Sequence, residues 1–209
     1  MRRPQLEFFF DCSSPWTYLA FDRIEMLATE TGAELIWRPI LVGGVFNEVN
    51  QGVYEQRRSP VPAKLHYALK DLQDWARKYG LRIGAPPVFP VNSAKAMRGA
   101  FVAEEHGKLP SYCRRVFETY WGDLEDISQD EVLAEIVRNQ GLDREEYFTK
   151  IAAPEYKAKL RANTDELITR GGFGSPTMFI DREDMYFGND RLVLVRDAVL
   201  RARDAEART

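Results

Sequence analysis

Residues 5–17 read QLEFFFDCSSPWT, and this stretch places a buried strand directly before a helix. The run from 5 to 10 is short, aromatic and bounded by turn signals, as is typical of a buried strand. Ser14 and Pro15 predict the start of a helix, because serine caps exposed N–H groups and proline suits the first helical position. Apolar residues at helical spacing continue to about Thr31, and Gly32 predicts the end of this helix. Residues 34–40 predict a second strand, so the region is a β-α-β unit with parallel strands.

The middle of the chain, from residue 61 to residue 170, has helical periodicity and almost no strand pattern. Residues 62–80 predict a long helix that ends at Gly80, and the proline-rich residues 84–90 predict a rigid connector. Residues 47–51, which precede the long helix, are interpreted as a loop. Further helices are predicted over 92–106, 110–120, 129–139, 143–150 and 155–171.

Strand patterns return at 177–180 and 184–187, at a spacing typical of a hairpin, and a last helix is predicted from Gly188 to about Arg203. The order β-α-β, helical block, β-β-α is that of an α/β thioredoxin fold with a large all-helical insertion. We therefore predict a thioredoxin-like domain formed by residues 1–60 and 171–209. Residues 61–170 are predicted to form a helical insertion domain.

The composition excludes several classes of function. The chain has 209 residues and a formal charge of −3, so we expect no nucleic-acid partner and no membrane-surface partner, since both favour a basic face. Its two cysteines, Cys12 and Cys113, form no CxxC motif, and no cluster has zinc-ligand spacing, so no metal site is expected. No stretch approaches the roughly 20 apolar residues of a membrane helix, and the N-terminus does not match a secretory signal. A cytoplasmic location is the expectation.

The first chemical motif is Ser14-Pro15-Trp16-Thr17 at the strand-to-helix junction. The positive end of a helix favours an anion such as a thiolate, which is why thiol-disulfide enzymes place a CxxC motif there. Here both cysteine positions hold hydroxyls, and a serine cannot exchange disulfides. It can donate a hydrogen bond to the sulfur anion of a ligand, although Ser14 as a simple helix cap is the alternative.

Two further motifs occur near the C-terminus. Ser175-Pro176 at the entry to a strand predicts a cis peptide that turns the backbone of Ser175 toward a peptide-like ligand, with a trans proline as the alternative. Asn189 and Asp190 open the last helix, either as plain caps or as the groups that bind the ammonium and carboxylate of a γ-glutamyl unit.

The joint order of these motifs is more specific than any one of them. The segments FFFDCSSPWTYLAF, RPILVGGVF, PAKLHYALKDLQDWARKYG, FETYW, FGSPTMFI and MYFGNDRL occur in this order. Together they resemble the 2-hydroxychromene-2-carboxylate isomerase family, whose wider group includes kappa-class glutathione transferases and DsbA-like oxidoreductases. The resemblance spans about residues 5–203.

This resemblance implies a glutathione-dependent isomerase whose catalytic serine is Ser14. The glutathione contacts that it implies fall on Ser14, Pro15, Trp16, Ser175, Pro176, Asn189 and Asp190. A further family asparagine matches Asn50 or Gln51, of which Asn50 is preferred. Lys64 could meet a substrate carboxylate or could be an ordinary exposed lysine. Candidates for an apolar wall around the substrate are Trp16, Phe46, Phe89 and Trp121, for each of which core packing is the alternative.

The reaction implied is the interconversion of 2-hydroxychromene-2-carboxylate and trans-o-hydroxybenzylidenepyruvate, with a glutathione thiolate held by Ser14. A kappa-type glutathione transferase or peroxidase is the first alternative. The second is a non-catalytic thiol-peptide binder or a DsbA-like oxidoreductase. An exposed Cys12 would permit redox chemistry, whereas a buried Cys12 would be inert. Cys113 is expected in the core, and His66 and His106 are expected to be surface or capping residues and not catalytic bases. Kappa-like relatives imply a homodimer.

Overall fold

The structure is a computed structural model, and it describes residues 3–206. Its strands are β1 (Gln5–Phe10), β2 (Glu34–Pro39), β3 (Thr177–Ile180) and β4 (Asp184–Phe187). Its α-helices are α1 (Pro15–Thr31), α2 (Val42–Val49), α3 (Gly52–Arg58), α4 (Pro62–Tyr79), α5 (Ala94–Glu105), α6 (Leu109–Phe117), α7 (Asp130–Asn139), α8 (Arg144–Ala152), α9 (Pro154–Thr169) and α10 (Leu192–Glu206). A π turn over Glu118–Gly122 follows α6, and a 3-10 turn over Asn189–Arg191 leads into α10.

The sheet has the strand order β2-β1-β3-β4, with β1 parallel to β2 and antiparallel to β3. The predicted strands and the parallel β-α-β unit are therefore confirmed. The chain has a thioredoxin fold in which the helices α2 to α9 lie between β2 and β3. The division into two domains stays a prediction, because one hydrophobic core runs from the sheet residue Phe8 to Tyr147 in the inserted helices.

Side chains alternate across β1, as the period of a strand requires. Phe8 and Phe10 face the large core beneath α1, whereas Phe9 faces a smaller core with Phe179 on the other side. Glu7 shares that second side. It is fully buried between Arg38, at 2.8 Å, and Arg170, at 2.5 Å.

The interpretation of residues 47–51 as a loop is wrong for residues 47–49, which form the last turn of α2, whereas Asn50 and Gln51 do lie between α2 and α3. Two glycines weaken the local helix signal, yet one of them permits close packing. A Cβ on Gly44 would lie 3.3 Å from Thr164 Cγ2, so the absence of a side chain lets α2 approach α9. Tertiary packing therefore overrides local propensity here.

Candidate functional site

Ser14 lies where β1 passes into α1 and caps the helix. Its backbone is extended, with φ −106° and ψ 123°, and its Oγ accepts the Thr17 N–H at 3.2 Å. Pro15 occupies the first helical turn, as predicted. The Ser14 hydroxyl also donates to the carbonyl of Ser175 at 3.2 Å. The same oxygen therefore both caps the helix and contacts residues 173–176, which are called the proline loop below.

The Ser175–Pro176 peptide bond is cis, as the sequence predicts. The Ser175 side chain is 7% exposed and accepts the backbone N–H of Asp11 at 3.0 Å. Its Oγ also lies 2.8 Å from Thr17 Oγ1. Three hydroxyls, those of Ser14, Thr17 and Ser175, therefore meet where thiol-disulfide enzymes carry their cysteines.

Asp11 anchors the elements around this hydroxyl cluster, and the sequence reasoning did not identify it. Its carboxylate is fully buried and accepts from the Ser13 N–H at 2.9 Å, the Val42 N–H at 2.8 Å and the Ser93 hydroxyl at 3.0 Å. Burial raises the pKa of Asp11, and these hydrogen bonds act in the opposite direction. One carboxylate thus ties the starts of α1, α2 and α5 to the end of β1.

The two candidate amides after α2 point to different places. The Asn50 side chain donates to the carbonyl of Phe173 at 3.1 Å, two residues before Ser175. The Gln51 side chain donates back to the carbonyl of Asn47 at 2.8 Å. Asn50 therefore lies on the proline loop, whereas the Gln51 amide binds its own preceding helix.

The turn before α10 lies beside the same proline. The Gly188 N–H donates to the Pro176 carbonyl at 3.1 Å, which continues the pairing of Thr177 with Phe187. Gly188 has φ +103°, and a Cβ there would lie 2.8 Å from the Asp190 carboxylate. Only glycine fits both conditions.

Asn189 and Asp190 differ in exposure. Asn189 is 4% exposed, and its Nδ2 is buried without a hydrogen-bond partner. Asp190 is exposed and pairs with Arg191. Both residues lie in the first turn of a continuous helical segment, whose first N–H groups have no intrahelical acceptor.

An aromatic wall extends from the β1–α1 junction to the proline loop. Trp121 donates its indole N–H to the Cys12 carbonyl at 2.9 Å, and its ring centroid lies 6.0 Å from that of Phe89. Phe46, on α2, approaches the other end, since a Cβ on Gly174 would lie 3.8 Å from its ring. One end of the wall thus contacts Cys12, two residues before Ser14, and the other end lies beside Gly174, the residue before Ser175.

Arg57 on α3 bridges this wall, and the sequence reasoning missed it. Its guanidinium lies 5.5 Å from the Phe46 ring centroid and 5.1 Å from the Phe89 ring centroid. Cation–π contacts of this kind hold a guanidinium in place without neutralising its charge. In the sequence, Arg57 is visible only as a basic residue in the short segment before the long helix. No helix was predicted for that segment, so the orientation that α3 gives to Arg57 could not be foreseen.

The remaining candidates separate into core and surface. Trp121 is only 3% exposed, so most of it packs in the core, whereas Phe89 is 50% exposed. Trp16 is half-buried against the large core. Lys64 lies on the exposed first half of α4.

The cysteines and histidines lie outside the hydroxyl cluster. Cys12 and Cys113 are 1% and 2% exposed, and burial raises the pKa of both thiols well above the ordinary value. The prediction that both cysteines are buried is confirmed. His66 and His106 are exposed, as expected.

Comparison with known proteins fits this geometry. The family model of the DSBA-like thioredoxin domain matches residues 5–200. The chain belongs to the DSBA-like thioredoxin family. In this DSBA-like chain, hydroxyls replace the cysteines of the redox motif, while the cis proline is present.

Relatives of this DSBA-like chain include enzymes with established names. It is 32% identical over 196 residues to a 2-hydroxychromene-2-carboxylate isomerase of Pseudomonas putida, covering 93% of each chain. It is 26% identical to glutathione S-transferase kappa 1 of Caenorhabditis elegans, covering 93% of this chain and 90% of the relative. A solved 2-hydroxychromene-2-carboxylate isomerase superposes with a TM-score of 0.81 at 27% identity, covering 97% of each chain. The chain is therefore an enzyme of 2-hydroxychromene-2-carboxylate isomerase-like type.

Proposed function

We propose that the protein is a glutathione-dependent isomerase that acts on 2-hydroxychromene-2-carboxylate or a related aromatic-derived keto acid. The observation that carries the proposal is the Ser14 hydroxyl at the positive end of α1, bonded to the loop of the cis proline. Similarity over nearly the whole chain to isomerases supports the reaction class.

The hydroxyl cluster fits a thiolate ligand. The Ser14 hydroxyl bond to Ser175 is long, at 3.2 Å, and a charged sulfur is a stronger acceptor than a carbonyl oxygen. A bound thiolate therefore draws this proton toward itself while Thr17 continues to be capped. A charge-assisted bond of about 1.5–3 kcal/mol lowers the pKa of a bound thiol by about one to two units.

The rest of the tripeptide has partners along the same edge. The cysteinyl backbone pairs with Ser175 before Pro176, as an added strand would, and contacts Pro15 and Trp16 at the start of α1. Asn50, which donates to the Phe173 carbonyl, holds the proline loop from the side of α2.

The γ-glutamyl end fits the turn before α10. Its carboxylate binds the free N–H groups of Asn189 and Asp190, and its ammonium binds the Asp190 carboxylate. Because the Asn189 side-chain amide is buried, its contribution comes through its backbone.

When bound, glutathione supplies a sulfur nucleophile that adds reversibly to an unsaturated carbon of the substrate and leaves again, so that none is consumed. Ser14 stabilises the thiolate before it adds to the substrate and again as it leaves. Phe89 and Phe46 cover the apolar body of the substrate, and Trp121 supports Phe89 from the core. Arg57, held between the two phenylalanine rings, binds the substrate carboxylate. Lys64 is the second candidate for that contact.

The experiment compares Ser14→Ala with Ser13→Ala. Ultraviolet absorbance of bound glutathione is titrated with pH, and isomerisation of 2-hydroxychromene-2-carboxylate is followed in parallel. We expect Ser14→Ala to raise the bound thiol pKa by about one to two units and to remove most of the turnover, while binding is largely retained. Ser13→Ala should behave as the parent chain, and full activity of Ser14→Ala would rule the proposal out.

The similarity to kappa-class transferases favours a second candidate with the same thiolate. A transferase would leave the conjugate intact with a chloroaromatic electrophile and would turn over the chromene carboxylate poorly. A thiol-peptide binder without catalysis would leave the bound thiol pKa at its free value. A DsbA-like oxidoreductase needs an accessible thiol, and both cysteines are buried. The proposed compartment is the cytoplasm, where glutathione keeps such thiols reduced.

We also propose a homodimer. Val61, which precedes α4, and Leu65 and Leu69 in its first half recur every four residues and are 45–56% exposed. This spacing makes one apolar stripe, which a second copy would cover. Light scattering should give twice the chain mass, and Leu65→Glu should give monomers.

A further inference from the structure

A cavity lies on the face of α2 that is opposite Phe46. It is an open cavity of about 390 Å³ that is bounded by α2, α5 and α9. Leu41, Gly44 and Glu48 face it at helical spacing, and Gly44 and Phe46 are two residues apart, which puts them on opposite sides of the helix. Neither Ser14 nor Ser175 lines it, so it is separate from the hydroxyl cluster.

The walls of this cavity are mainly apolar. Leu41, Leu160 and Ile168 contribute aliphatic side chains from two of its sides. Its volume falls in the range of about 300–1,000 Å³ that is usual for small-molecule sites. An apolar ligand body of moderate size therefore fits it.

Arg98 on α5 brings an unneutralised charge into this apolar setting. Its side chain is half-buried, and its Nε donates to the Ala94 carbonyl at 3.0 Å. Among residues 3–206, Arg98 forms no ion pair with a carboxylate, and its terminal nitrogens donate no hydrogen bond. Burial lowers the pKa of Arg98, although an arginine stays charged at neutral pH.

A second cation lies in the cavity lining. Lys157 on α9 is exposed and, within the described residues, has no carboxylate at ion-pair distance. The other basic residue in the wall, Arg161, is already held by Asp165 at 3.0 Å. The other acidic residue in the wall is Glu48, and its negative charge acts on Arg161. Arg98 and Lys157 thus leave an excess of positive charge.

We propose that this cavity is a second small-molecule site, which binds an organic monocarboxylate with an apolar body. The carboxylate receives hydrogen bonds from the free guanidinium N–H groups of Arg98, in the planar geometry that suits this pair, and Lys157 adds a second cation. Leu41, Leu160 and Ile168 surround the apolar body. The site uses none of the residues of the proposed isomerase reaction.

The test measures binding of 2-naphthoate and of the neutral 2-naphthalenemethanol by titration calorimetry. The carboxylate should bind at least about tenfold more tightly than the alcohol, and Arg98→Gln should remove that difference. Lys95→Gln should leave 2-naphthoate binding unchanged, because Lys95 lies on the same helix as Arg98 but outside the cavity lining and pairs with Asp130 at 2.7 Å. Equal affinity for the two probes would overturn the proposal, and so would a loss of binding in Lys95→Gln that Arg98→Gln does not show.

A matched lysine pair keeps the test decisive if Arg98→Gln does not fold. Lys157→Gln should weaken 2-naphthoate binding. Lys159→Gln should not, because Lys159 lies outside the cavity lining on the same helix and pairs with Glu155 at 3.1 Å. Equal effects of the two substitutions would place the carboxylate elsewhere. A failure here leaves the Ser14 proposal intact, since the two experiments share no variant that should respond in both.

Discussion

Thr17 Oγ1 lies 2.8 Å from Ser175 Oγ, so a hydroxyl of the first turn of α1 meets a hydroxyl 158 residues further along the chain. The pair is buried, and both residues have a second bond to the same junction, through Ser14 and Asp11. A redox enzyme of this fold has a cysteine at the position of Thr17. Here the position serves to hold the proline loop against the helix.

Replacement of Thr17 by valine keeps the shape of the side chain and removes its hydroxyl. A buried polar group then loses its partner, and we expect the free energy of unfolding to fall by about 1–3 kcal/mol. Thr17→Ser keeps the hydroxyl and loses only a methyl group, which costs about 0.8 kcal/mol. Urea denaturation of the two variants measures the difference. If the valine variant is as stable as the serine variant, the hydroxyl pair does not stabilise the junction.

Arg57→Gln tests the carboxylate contact in the aromatic wall. Removal of the guanidinium should raise the KM of a carboxylate substrate by about tenfold or more, since a hydrogen-bonded charge contributes about 1.5–3 kcal/mol. The thermal midpoint should change little, because Arg57 is exposed. Steady-state kinetics of Lys64→Gln provide the comparison. A larger KM effect in Lys64→Gln would assign the carboxylate to Lys64 instead.

Local signals explain why some of this site was predictable from the sequence. Ser14 with Pro15 is a helix start that depends only on neighbouring residues, and Ser175-Pro176 was interpretable once the order of strands was known. Asp11 gave no such signal, because its partners Val42 and Ser93 lie 31 and 82 residues away. Arg57 was missed for a related reason. Its role depends on α3, whose formation was not visible in a segment that contains glycine and exposed polar residues.

The two thiols should be inert in the folded protein. Thiolates are the reactive form of cysteine, and burial both shields Cys12 and Cys113 and raises the pKa of each. A chromogenic disulfide reagent should therefore label neither in native buffer and both in denaturant. Cys12→Ser and Cys113→Ser assign any signal that appears. Rapid native labelling of Cys12 would reopen the redox alternative.

Glu7, on the side of the sheet that carries Phe9, makes the free energy of unfolding depend on pH. Burial alone would raise its pKa, but hydrogen bonds from Arg170 and Arg38 hold the pKa below the ordinary value of 4.5. A depressed carboxyl pKa stabilises the fold above the unfolded value, and this contribution is lost as the pH falls through the folded value. The pH range over which this stabilisation is lost therefore begins near pH 4.5 and extends to lower pH.

Glu7→Gln removes one partner of this buried ion pair and leaves Arg170 without its nearest carboxylate. We expect the free energy of unfolding at pH 7 to fall by about 3–5 kcal/mol. As the pH is lowered below 4.5, the parent chain protonates Glu7 and the gap between the two proteins narrows. Urea denaturation across this range measures the gap, with the exposed Glu183→Gln as the control. A gap that stays constant with pH would mean that Glu7 has the same pKa in the folded and the unfolded protein, because only a shifted pKa makes the free energy of unfolding depend on pH.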